Sequence, residues 1–131
     1  MATRPRPLSP HLTVYRLMYT MVYSVLHRAT GIVLSCALVL LTAWLLSLAA
    51  GPLVYARAAA LFASPLGLLL LGGLCGAFWY HLCNGIRHLV FDTGRCLEKV
   101  AARRSGSVML AAALALTAAS ALAMLRMRGW L

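Results

Sequence analysis

His81, Asn84, Gly85, His88 and Asp92 stand at i, i+3, i+4, i+7 and i+11 in the stretch Trp79-Tyr80-His81-Leu82-Cys83-Asn84-Gly85-Ile86-Arg87-His88-Leu89-Val90-Phe91-Asp92-Thr93-Gly94. On an α-helix that spacing gathers them on one face. Neutral imidazole is an ordinary metal ligand, and amide and carboxylate groups supply hydrogen bonds. Gly85 has no side chain and would let a flat, bulky group approach the backbone.

A second cluster reads Ser24-Val25-Leu26-His27-Arg28-Ala29-Thr30-Gly31. Ser24 and Arg28 are four residues apart and share a helix face. A hydroxyl donating to a carbonyl, beside a guanidinium that stabilises developing negative charge, suits a quinone. The plainer alternative makes Arg28 a charge anchor and Ser24 a local cap.

The elements that position these clusters follow from composition. The chain has 131 residues, 63% hydrophobic and 11% charged, with 12 Lys and Arg against 2 Asp and Glu. Soluble domains carry roughly 45–50% apolar and about 25% charged residues. A short chain cannot bury such an excess, and disorder needs low hydrophobicity. The formal net charge of +10 fits the cytoplasmic side of a membrane better than nucleic acid, which is not an expected partner. Lys, Arg, Asp and Glu are absent from residues 29–56, 58–86 and 105–125. Each run exceeds or matches the about 20 residues that cross roughly 30 Å of hydrocarbon, and a helix satisfies its own backbone there. An all-α membrane protein is expected, a single transmembrane domain over residues 1–131. Residues 1–23 form an N-terminal cytoplasmic segment, and helices lie near 24–50, 65–92 and 105–127. Gly51-Pro52 and Ser64-Pro65 mark turns between the first two.

Arg4, Arg6, Arg16 and Arg28 precede or open the first helix, and Arg95, Lys99, Arg103 and Arg104 lie between the second and third. The positive-inside rule puts the N-terminus and that loop in the cytoplasm of a bacterium, with the chain multi-pass in the inner membrane; Arg126 and Arg128 then fall outside. No secretory signal pattern is apparent. Cys36, Cys75, Cys83 and Cys96 form neither C-x-x-C nor C-x-x-C-H and read as inert packing groups. Gly72-x-x-x-Gly76 and the Ala-rich third helix predict close helix contacts. The tryptophans and tyrosines read as anchors or packing elements, Trp130 at the outer interface.

Depth sharpens the first cluster. His81 lies six residues before Arg87, or ~9 Å along the axis, so it sits within the hydrocarbon if Arg87 marks the boundary. An ionisable residue there faces a bundle interior. One reading has His81 hydrogen-bonded to a carbonyl or Ser/Thr of a neighbouring helix. The other gives it a cofactor, and haem suits the parts: an imidazole for iron, a gap at Gly85, and cations near the boundary for propionates. His88 shares the face of His81, and His27 is expected at a shallower level. The second axial ligand is therefore expected from another polypeptide, making this chain a partner in a complex.

Arg6-Pro7-Leu8-Ser9-Pro10-His11-Leu12, Tyr15-Arg16, Ser24-x-x-His27-Arg28-x-Thr30-Gly31 and His81-x-x-Asn84-Gly85-Ile86-Arg87-His88-Leu89-x-x-Asp92-x-Gly94 together resemble the cytochrome b556 (large anchor) subunit family of succinate dehydrogenase. The motifs occupy about a third of the chain. Phe91 stands where many relatives have Trp, and Val25 and Ala29 replace commoner neighbours. The resemblance implies a membrane anchor of succinate:quinone oxidoreductase, respiratory complex II, that does not oxidise succinate alone. Its implied partners are a flavoprotein subunit, an iron–sulfur subunit, a second small anchor and membrane lipid. It implies one haem b shared with that second anchor, so that this chain is half of a two-subunit haem-binding helical bundle, and ubiquinone or another quinone as substrate. His81 becomes the axial ligand; Ser24 and Arg28 the quinone contacts; His27, Arg28, Gly85 and His88 the haem pocket and propionate contacts. Asp92 would serve a hydrogen-bond or proton network. A fumarate reductase anchor and a haem-free scaffolding protein are the rival readings.

Overall fold

The computed structural model describes residues 18–129. Arg4, Arg6, the motif at residues 6–12, His11, Tyr15, Arg16 and Trp130 lie outside the described residues. Four helices follow one another: α1 (Tyr19–Ala49), α2 (Pro52–Ala63), α3 (Pro65–Asp92) and α4 (Lys99–Met127). Three of them, α1, α3 and α4, are long and apolar enough to cross a membrane.

Helix α2 fills the segment between the two turn dipeptides. Pro52 and Pro65 occupy first-turn positions, where proline has no helical hydrogen bond to lose. The same prolines that end one element therefore begin the next. Ser64 caps α3, its Oγ accepting from the Gly67 N–H at 3.1 Å. At 12 residues, α2 is too short to span.

The long helices also reach further than the uncharged runs. α1 starts at Tyr19 and α4 at Lys99, because Lys99, Arg103 and Arg104 are good helix formers whose heads stay in water. Charge marks where the apolar stretch ends, not where the helix does.

α3 lies between α1 and α4, which barely meet each other. Arg87 contacts Ala102 and Ser105, whereas Trp79 contacts Ser120, so α3 and α4 run antiparallel. The start of α1, the end of α3 and the start of α4 thus share one basic end, with Arg95, Lys99, Arg103 and Arg104. Met109 and Ala113 are the buried hydrophobics, while leucines and valines cover the outside. Such a surface suits lipid or neighbouring helices.

The closest helix approach is not at Gly72-x-x-x-Gly76. A Cβ on Gly76 would meet the Thr117 methyl at 3.8 Å, an ordinary contact, and one on Gly72 would meet nothing within 4 Å. At Gly106, a Cβ would lie 2.6 Å from Tyr23 Cε2. That missing side chain lets the Tyr23 ring of α1 reach α4.

Candidate functional site

The chemistry-bearing residues divide between the two flanks of α3. On the flank toward α1, Thr30 and Gly31 open the way for His81. A Cβ on Gly31 would stand 3.1 Å from His81 Cε1, so any side chain there would push the imidazole by a few tenths of an ångström. His81 Nδ1 lies 3.1 Å from the His27 carbonyl and 3.1 Å from Thr30 Oγ1. A carbonyl only accepts, so in this bond Nδ1 carries the proton and Nε2 of the neutral ring keeps its lone pair. Thr30 in turn donates to the Leu26 or His27 carbonyl, each at 2.9 Å. Nε2 has no protein partner among the described residues.

His81 lines a cavity of about 810 Å³ between α1, α2 and α3. Its wall runs from Gly31 through Leu34, Leu38 and Phe62 to Trp44, and is mostly apolar. The hydrogen-bonding alternative for His81 is therefore realised at one nitrogen, and the other is left beside a cavity.

His27 sits level with His81. The two rings stack with centroids 3.9 Å apart and planes 10° from parallel. The expectation of a shallower His27 rested on a helix starting near 24; α1 starts at Tyr19, and its pairing with α3 aligns the two rings. At Gly85 a Cβ would lie 3.9 Å from His27 Cε1, an ordinary contact, so glycine is not needed there to admit that imidazole. His88 continues the series, its ring centroid 5.3 Å from that of His27. His27 Nδ1 is buried and has no hydrogen-bond partner among the described residues.

Ser24, Arg28 and Asp92 stand at the basic end. Ser24 is half-buried in the second turn of α1, too far along the helix to cap it, and makes no side-chain hydrogen bond among the described residues. Arg28 and Asp92 are exposed, and neither is bonded to the other or to the histidines. The structure joins the three histidines; it does not join Ser24 and Arg28 to Asp92.

On the flank toward α4 the polar groups are mostly satisfied. Arg87 is 7% exposed. Its Nε donates to Ser105 Oγ at 3.0 Å, Nη2 to the Ala102 carbonyl at 3.2 Å, and Nη1 to Asn84 Oδ1 at 3.5 Å. Its guanidinium carbon lies 4.4 Å from the Phe91 ring centroid and 5.7 Å from that of Tyr23. Arg87 is turned into the α3–α4 seam and not toward the histidines. Asn84, grouped by spacing with the histidines, is fully buried beside it. Tyr80 donates to the Tyr23 carbonyl at 3.0 Å, and Trp79 to Ser120 at 2.9 Å. Thr30, Gly31, Tyr23 and Gly106 were missed as positioning residues. Thr30 and Gly31 lie one turn or less beyond His27, but only the pairing of helices reveals what they admit.

With this geometry in view, sequence comparison is decisive. The family described as succinate dehydrogenase/fumarate reductase transmembrane subunit matches residues 2–120. The chain belongs to that family. Among its relatives, the succinate dehydrogenase cytochrome b556 subunit of Paracoccus denitrificans is 41% identical over 111 residues, covering 85% of each chain. The namesake from Rickettsia felis is 42% identical over 89 residues, 68% of each. The mitochondrial succinate dehydrogenase cytochrome b560 subunit of Sus scrofa is 36% identical over 119 residues, 80% of this chain and 63% of its own. Family membership and three candidate spans make this chain a multi-pass membrane anchor of the succinate dehydrogenase type, one component of an oxidoreductase complex.

Proposed function

We propose that the chain binds haem b through His81 Nε2 and forms part of a quinone-reduction site at Ser24 and Arg28, as an anchor of succinate:quinone oxidoreductase. The observation that carries this reading is the bonding of His81 Nδ1 to the His27 carbonyl, with Nε2 left unpartnered at an apolar cavity. Metal-bound histidines usually donate their other ring nitrogen to a carbonyl or carboxylate in this way, which fixes the tautomer and strengthens the ligand. The donor set fits haem: one neutral imidazole, an apolar wall, and histidines toward the basic end. Bound haem supplies one-electron chemistry.

This chain's residues orient and hold. Gly31 admits the His81 ring, and Thr30 with the His27 carbonyl stops it turning. His27 lies flat on it and, with His88 and Arg28, would meet the propionates; Gly85 would leave a flat group room beside the backbone. His27, stacked on His81, would not supply a second ligand, and that ligand would come from the other small anchor subunit. Ser24 donates to a quinone carbonyl, and the exposed Arg28 stabilises negative charge developing there. Asp92, at the end of α3, serves proton supply or hydrogen bonding. Succinate is oxidised on a flavoprotein subunit, and an iron–sulfur subunit carries electrons to the membrane; the basic end faces them. On the positive-inside rule that end is cytoplasmic, with the complex in a bacterial inner membrane.

Two measurements test this. The purified complex should show b-type bands in a reduced-minus-oxidised spectrum; a haem-free complex would favour the scaffolding alternative. Ser24→Ala and Arg28→Leu should each slow quinone reduction about tenfold or more, the loss expected for one electrostatic donor. Electron transfer to artificial acceptors should be spared. Wild-type quinone kinetics in both variants would remove that site.

A further inference from the structure

We infer that Arg87 is a fixed, uncompensated positive charge that raises the electron affinity of the centre held at His81. The inference rests on the haem reading above and adds a role for a residue outside the histidine groove.

Three observations support it. The guanidinium is 7% exposed, and its hydrogen bonds go only to neutral oxygens of Ser105, Ala102 and Asn84. No carboxylate pairs with it among the described residues, and the whole chain has only Asp92 and Glu98 to offer, both exposed. Asn84 is 0% exposed, and its Nδ2 has no hydrogen-bond partner among the described residues. An aspartate of the same shape would neutralise the cation and remove that orphaned donor. The amide instead accepts a bond while leaving the full charge in place.

A buried charge acts at longer range than an exposed one, because little water or salt screens it. Arg87 lies six residues from His81 on one helix, ~9 Å along the axis. A group that gains an electron there gains negative charge, so the cation favours its reduced form. Phe91 and Tyr23 hold the guanidinium over apolar rings and keep it dry.

The test is spectroelectrochemical titration of the haem in the intact complex, with haem content recorded on the same samples. Arg87→Gln removes the charge and should shift the haem midpoint clearly negative. Asn84→Asp keeps the shape, adds a carboxylate against Nη1, and should shift it the same way. Arg87→Lys keeps the charge with poorer geometry and should stay nearer the wild-type midpoint than Arg87→Gln does, although it is less stable. Wild-type midpoints in both Arg87→Gln and Asn84→Asp, with haem in place, would overturn the inference. So would an Arg87→Lys midpoint as low as that of Arg87→Gln. Loss of haem from the isosteric Asn84→Asp would also overturn it, showing a pair that holds the pocket rather than sets its field. Failure of the underlying haem reading looks different: His81→Ala would then keep full haem.

Discussion

The two flanks of α3 use similar residue types for opposite ends. Toward α4, Arg87, Trp79 and Ser105 are bonded to their neighbours, and that seam holds helices together. Toward α1, His81 bonds one ring nitrogen to a carbonyl and lines a cavity with the other unpartnered, while His27 Nδ1 has no hydrogen-bond partner among the described residues. Buried polar groups are normally satisfied. Asn84 Nδ2, in the α3–α4 seam, is also unpaired among the described residues, but it is fully enclosed. Polarity within a membrane span thus does not by itself indicate chemistry. What separates a clamp from a site is whether the open hydrogen-bonding groups belong to a residue that lines a cavity, as His81 does.

Substitutions on each flank should break or sharpen this contrast. The largest effect is expected on the open side. Gly31→Val places branches where the His81 ring now lies; overpacking of about 1–3 kcal/mol should turn the imidazole away. Haem content should fall to about a tenth or less, as for a displaced ligand. Pyridine haemochrome analysis of the purified complex checks it, and full haem in this variant would deny Gly31 its place.

A smaller loss follows from Thr30→Ala, which removes one of two oxygens next to His81 Nδ1 but leaves the His27 carbonyl. One net hydrogen bond is worth about 1 kcal/mol, so haem should dissociate about fivefold more readily. Competition with a haem-scavenging apoprotein reads this directly. On the closed side, Ser120→Ala removes the acceptor of Trp79. Membrane hydrogen bonds average about 0.6 kcal/mol, so thermal stability should drop slightly. The haem spectrum should not change. A spectral change there would mean that the two flanks are not independent.

Much of this was legible in the sequence. The three spans followed from charge-free runs, and the histidine stripe from helical spacing. Arg87 was within reach as well: six positions on from His81, it points to a different flank of the helix. Its charge drew the reading to the membrane boundary instead. The remainder depends on which helices meet, which one chain's periodicity does not encode. Gly31 looked like any glycine until His81 lay against it, and Gly72 and Gly76 looked like a packing motif while facing little. Ser24 read as a cap only because the helix was started too late. Helix α2 was obscured because proline punctuates the end of one element and the first turn of the next alike.

The central claim is that His81 Nε2 binds the haem iron. It is tested most directly by comparing His81→Ala with wild type in the assembled complex, by reduced-minus-oxidised spectra at matched protein concentration. The b-type bands should vanish, or survive only as an altered, weakly held haem, while the flavoprotein and iron–sulfur subunits still co-purify. Wild-type band positions and intensity in that variant would contradict the account.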